Sequence, residues 1–133
     1  MAINSYIALA ARDLKDAKLL AQGESYSQVG RFCEQVVEKT MKHLIEQLGN
    51  LEHRGVLGTH NLTKMYDILV QEDIIPKNIT DKAYMATLKS YYYDVNYPGK
   101  DFIELDKEDA TYALDFARQF FETYQDYSPL IDS

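Results

Sequence analysis

Three groups of residues carry side chains that can do chemistry. In "RGVLGTH", Arg54 precedes His60 with five residues between them. A guanidinium holds phosphate through a fork of N–H donors, and an imidazole moves protons near neutral pH, so such a pair suits metal-independent phosphodiester cleavage. Chance also produces that spacing in a chain with four arginines and three histidines, and the alternative for His60 is a helix-start residue bonding local backbone. The second group is Lys89, Tyr93, Asn96 and Tyr97, which share one side of a helix at i, i+4, i+7 and i+8. One cation, one amide and two phenols there can stack on a base and hold a phosphate, or line a bundle edge or dimer contact. Met85, Leu88, Tyr92 and Val95 then form the core stripe, with Tyr91 at the seam. The third group is Lys39, Lys42 and His43 in "EKTMKH", on the polar flank of another helix, where Glu38 and Lys42 are spaced as an i,i+4 pair.

Better-known catalytic patterns are missing. A di-iron bundle needs a Glu three residues before a His on two helices, and Thr40, Asn50 and Leu57 stand in those places. No metal site or bound cofactor is expected, although a nucleotide ligand fits the second group. There is no G-x-x-x-x-G-K loop and no G-x-S-x-G elbow. The lone Cys33, beside Phe32 and Val36, reads as a small buried thiol.

The elements that must position these residues are helical. Ile3, Tyr6, Ile7, Ala10, Leu14 and Ala17 follow a helical stripe that ends near Gly23. The strongest pattern runs from Val29 through Phe32, Cys33, Val36, Val37, Met41, Leu44 and Ile45 to Leu48. Ser25 is suited to cap its start and Gly49 its end. A glycine-containing polar loop follows, then a shorter helix from about Leu62 to Glu72, broken at "IIPKN". Thr80 or Asp81 opens a fourth helix that carries the tyrosines and stops near Asn96, because Pro98 disfavours helical geometry at Tyr97. Asp106 starts a last helix with Glu108 and Asp109 in its first turn. Its stripe is Ala110, Ala113, Leu114, Ala117, Phe121 and Tyr124. The expected fold is all-α, an antiparallel up-and-down bundle of about five helices around a four-helix core. It spans residues 1–126, with 127–133 a loose tail.

The formal charge of −7 is placed unevenly. Residues 101–133 hold nine acids against Lys107 and Arg118, so the first hundred residues sum to zero. The last helix is thus poorly suited to phosphate, while the rest has room for a local basic pocket. No stretch approaches the ~20 apolar residues of a membrane span, and a cytoplasmic location is expected.

Taken in order, "AARDLKDA", "QVVEKTMK", "THNL" and "YYDVNYPG" resemble the HEPN domain family of prokaryotic helical proteins, over about 90 residues from Ala10 to Gly99. The resemblance implies a bundle of about five helices, usually a homodimer, often encoded beside a minimal nucleotidyltransferase in a toxin–antitoxin-like setting. It implies nucleotide binding, and many similar proteins cleave RNA with an Arg, a polar residue and a His four to six positions on. Here Asn96 stands where the family usually has Arg, Gly99 replaces an Asp, and Gly55 is not polar. An amide cannot reproduce the bidentate fork of a guanidinium. The leading expectation is a nucleotide-binding or regulatory module partnering a nucleotidyltransferase, more readily a non-enzyme than an enzyme. The alternatives are a ribonuclease using Arg54 and His60, and a scaffold dimer without a ligand site.

Overall fold

The structure, a computed structural model, describes residues 5–49, 55–94 and 103–128, with backbone alone for 93 and 94. Among these are five α-helices and one short 3₁₀ turn. Helix α1 spans Tyr6–Gln22 and begins at Ser5, whose hydroxyl accepts the Ala8 N–H at 3.1 Å. Glu24, at φ +59°, reverses the chain, and the Ser25 N–H donates to the Leu20 carbonyl at 2.9 Å. Helix α2, Tyr26–Gln47, follows as the antiparallel partner of α1. Ser25 occupies its cap position, but the expected side-chain bond is not made. Past its C-terminus Gly49 adopts φ +61°, where a residue lacking Cβ avoids a steric penalty.

The 3₁₀ turn Gly55–Gly58 leads to α3, Leu62–Gln71, capped by Asn61 accepting the Lys64 N–H at 3.2 Å. Helix α4 spans Ile79–Asp94, and the residue that caps its first turn is Asn78, which accepts the Asp81 N–H at 3.0 Å. The turn between α3 and α4 is tied by the buried Tyr66, whose hydroxyl accepts the Asn78 N–H at 2.8 Å and faces the Pro76 and Asn78 carbonyls. Helix α5, Lys107–Tyr124, opens with a reciprocal capping box between Asp106 and Asp109.

Helix α2 packs against every other helix, α1 also meets α5, and α3 meets α4. The apolar stripe of α2 explains that centrality: Val29, Cys33, Val36, Val37, Met41 and Leu44 are fully enclosed. Each such aliphatic side chain contributes about 1.5–3 kcal/mol relative to exposure. The Cys33 thiol is buried as expected, and desolvation pushes it up to about 12. Leu62, Met65 and Leu69 close the core from α3, and Ala110, Ala113, Ala117 and Phe121 from α5.

The core of α4 differs from the expected stripe. Met85 and Leu88 are buried, but Tyr91, 6% exposed, takes the place assigned to Tyr92, and Val95 lies outside the described residues. The cause is Gly30 on α2. A Cβ there would stand 3.0 Å from Tyr91 Cδ2 and 2.2 Å from Leu105 Cδ1, so the missing methyl makes the slot for both side chains. The Leu105 N–H donates to Ser27 Oγ at 3.0 Å, which fixes the approach to α5 on the start of α2.

Candidate functional site

The second helix carries three ionisable residues one turn apart, Glu34, Glu38 and Lys42, and all three are buried, at 0%, 2% and 6% exposure. Taking such groups out of water costs several kcal/mol per ion unless charges or hydrogen bonds around them compensate. Lys42 Nζ lies 3.0 Å from Glu38 Oε2 and 5.9 Å from the centre of the Tyr6 ring on α1. One position over, Lys39 pairs with the buried Asp13 of α1. Both lysines therefore face inward to carboxylates. The polar flank expected of α2 is at this point an internal charged layer, formed where α1 packs along it.

His60 enters from the segment just before α3. Its Nδ1 lies 3.1 Å from each oxygen of Glu38, 22 residues away, in place of the local backbone partner expected of a helix-start histidine. A carboxylate only accepts, so Nδ1 carries the hydrogen and Nε2 is the lone-pair nitrogen of the neutral ring. The imidazole stacks on Tyr92 of α4, with centroids 4.1 Å apart and planes 18° from parallel. Tyr92 is thus half-buried against His60, while Tyr91 fills the core. The His60 side chain is 36% exposed, against 3% for the Glu38 side chain that holds it.

Glu34 completes the layer. Gln35 Nε2 donates to Glu34 Oε1 at 2.6 Å and reaches Glu38 Oε1 at 3.5 Å. Burial first, then the charge of Glu38 and a hydrogen bond to it, push Glu34 up to about 9, against smaller opposing contributions from Gln35 and Lys42. An ionised Glu34 leaves its fully buried Oε2 without a donor. Burial therefore favours the protonated, neutral form of Glu34, which has a hydrogen to donate toward Glu38. Counted with Asp13, Lys39 and Lys42, the layer is close to neutral, and Glu38 is the acceptor on which Lys42, Glu34 and His60 converge. Among the described residues no three His, Cys, Asp or Glu side chains form a metal-holding group. At Glu38 the cation is the ammonium of Lys42.

The family model of the HEPN domain matches residues 3–127, nearly the whole sequence. The chain belongs to the HEPN domain family. Neither the curated proteins nor the solved structures compared with it gave a match.

Within this HEPN domain the candidate residues separate. Lys39, Lys42 and His60 come together in the charged layer. His43 bonds Gln47 Nε2 at 2.7 Å along its own helix, and burial holds its pKa below the ordinary value, with Glu46 opposing. Lys89 is half-buried on α4. Arg54, Asn96 and Tyr97 lie outside the described residues, as does the side chain of Tyr93. Asp13, Glu34, Glu38 and Tyr92 join the site only in the folded structure. The available signal was Asp13 in "RDL" and Glu38 in "VEK", acids standing beside apolar residues on helices otherwise patterned for burial. No helix among the described residues is long and apolar enough to cross a membrane.

Proposed function

We propose that this HEPN domain is a nucleotide-directed binding or regulatory module whose His60 face meets the phosphate of a nucleotide or of RNA. One observation carries the reading: a buried carboxylate and a stacked tyrosine fix His60 from two sides, while its Nε2 makes no hydrogen bond among the described residues. Protonated, that nitrogen donates to a phosphate oxygen; neutral, it accepts a proton. Lys39, with a side chain 20% exposed, is the layer's most accessible ammonium, and a phosphate arriving there competes with Asp13. The proposal also takes in Lys89, half-buried on α4, and Tyr93, Asn96 and Tyr97 from the sequence pattern, with His43 one position past Lys42 on α2. The proposal includes a homodimer and a nucleotidyltransferase partner in a toxin–antitoxin-like setting, following from family membership. Titration with ATP, GTP and short RNA tests it. Binding at millimolar concentration or tighter, weakened by His60→Ala, is expected; no binding of any of the three removes the nucleotide reading in favour of a scaffold.

The pairing of Glu38 with His60 favours a second reading, metal-independent RNA cleavage. A carboxylate on Nδ1 fixes the tautomer and orients Nε2, the arrangement a general base requires, and Arg54 would supply the guanidinium. Incubation of the purified protein with RNA decides it: cleavage abolished by His60→Ala supports this reading, and cleavage equal in both proteins excludes His60.

A further inference from the structure

A second surface, away from the charged layer, has its own chemistry. On α5, Tyr112, Phe116, Phe120 and Tyr124 recur every four residues and form an unbroken ladder with Tyr84 of α4. Tyr84 lies 4.6 Å from Tyr112 and 4.8 Å from Phe116 between ring centres, and the ladder continues at 6.2 Å to Phe120 and 5.0 Å to Tyr124. Twelve residues of helix make this stripe roughly 18 Å long. It is not sealed: Tyr112 is 54% exposed, and Phe116, Phe120 and Tyr124 are half-buried. Between α4 and α5 it opens into a notch of about 170 Å³ lined by Phe116, Phe120 and Tyr124 with Gln119, Thr123 and Asp81. Asp81 has no cationic partner among the described residues, whereas Arg118, on another side of α5, is paired with Asp115 and Glu122.

We propose that the α4–α5 aromatic groove is a docking site for a partner protein's basic, apolar-faced segment, with one Lys or Arg side chain seated in the notch against Asp81. Ring faces and a carboxylate together select a cation, and the ladder beyond the notch matches the apolar side of a short helix. Charge complementarity sets the sign of the partner, because residues 101–133 carry −7. A second copy of this chain or a nucleic acid would bring like charge to the same surface.

The test uses the full chain and a 15-residue helical peptide of leucine and lysine, with the same peptide carrying glutamate for lysine as control. Calorimetry should show binding of the lysine peptide alone. Asp81→Asn and Phe120→Ala should each weaken it about fivefold, the loss expected for one cation–π or charge contact. Glu46→Gln removes the same charge outside the groove and should change affinity less than twofold; His60→Ala should leave it unchanged, separating this surface from the nucleotide reading. Circular dichroism checks folding, and the more exposed Tyr112→Ala replaces Phe120→Ala if the latter unfolds. Equal effects of Asp81→Asn and Glu46→Gln, binding of the glutamate peptide, or a self-dimer that Tyr112→Ala dissociates would each overturn the proposal.

Discussion

Replacing Glu34 by Gln should make this protein's stability less sensitive to pH, and the size of the effect follows from the buried layer. Glu34 is pushed from an ordinary value near 4.5 up to about 9, chiefly by burial and then by Glu38. Between those values the native state holds a proton that the unfolded chain has released. Stability is therefore greatest below about 4.5 and falls as pH rises toward 9, by at most about 1.4 kcal/mol per pH unit. From about pH 5.5 to about pH 8 the upper bound is about 3 kcal/mol, lowered in practice by relaxation and water entry around the pair. A glutamine amide keeps the shape of the neutral acid and still donates toward Glu38, so it preserves the contact while removing the titration. Urea unfolding followed by circular dichroism at both pH values measures the two slopes. Other titrating groups, His60 among them, act in both proteins and largely cancel in the difference. Glu34→Gln should gain stability relative to the parent as pH rises, by about 1–3 kcal/mol over this range. Parallel pH dependences would refute a proton held on Glu34 in the native state.

Three further outcomes are expected. Lys42→Ala removes the ammonium from a nearly inaccessible carboxylate and should cost about 3–5 kcal/mol by urea unfolding near neutral pH; a loss under about 1 kcal/mol would mean that Glu38 is reached by water or held by His60 alone. Gly30→Ala places a methyl in the slot used by Leu105 and Tyr91, and overpacking of about 1–3 kcal/mol should outweigh the roughly 1 kcal/mol of helix propensity gained. Combining it with Leu105→Ala should cost less than the sum of the single losses, and strict additivity would show that the two positions do not compete for space. Asn96→Arg restores the guanidinium usual for the family and should strengthen ATP or short-RNA binding in titration; unchanged affinity would remove this face from the proposed site.

The helices were legible because their signals are local. The 3–4 spacing of Val29 through Leu44 reports a buried face whatever packs against it, and Asp106 reports a helix start through its own hydrogen bond to Asp109. Where the outcome depended on a neighbour, sequence periodicity misassigned it. Tyr91 and Tyr92 are consecutive and chemically identical, and nothing within α4 says which is enclosed. The choice is made on α2, where Gly30 leaves a gap, and before α3, where His60 offers a ring to stack on. Asn78, and not Thr80 or Asp81, caps α4 for a similar reason: the Tyr66 hydroxyl holds the Asn78 backbone at the turn and sets where the helix begins.

The same division separates fold from site. Residue order alone yields an all-α bundle of about five helices and a likeness to the HEPN family, whereas the central place of α2 is a matter of packing. Apolar spacing, caps and ordered motifs are properties of short segments, and they survive without knowledge of what each segment meets. Residue order also sets out Lys39, Lys42 and His60 as residues of interest. Packing alone makes both lysines face buried acids, lets Glu38 hold His60 from 22 residues away, and keeps a proton on Glu34 beside it. Burial sets the charge state of an acid, and burial exists only once the helices are packed.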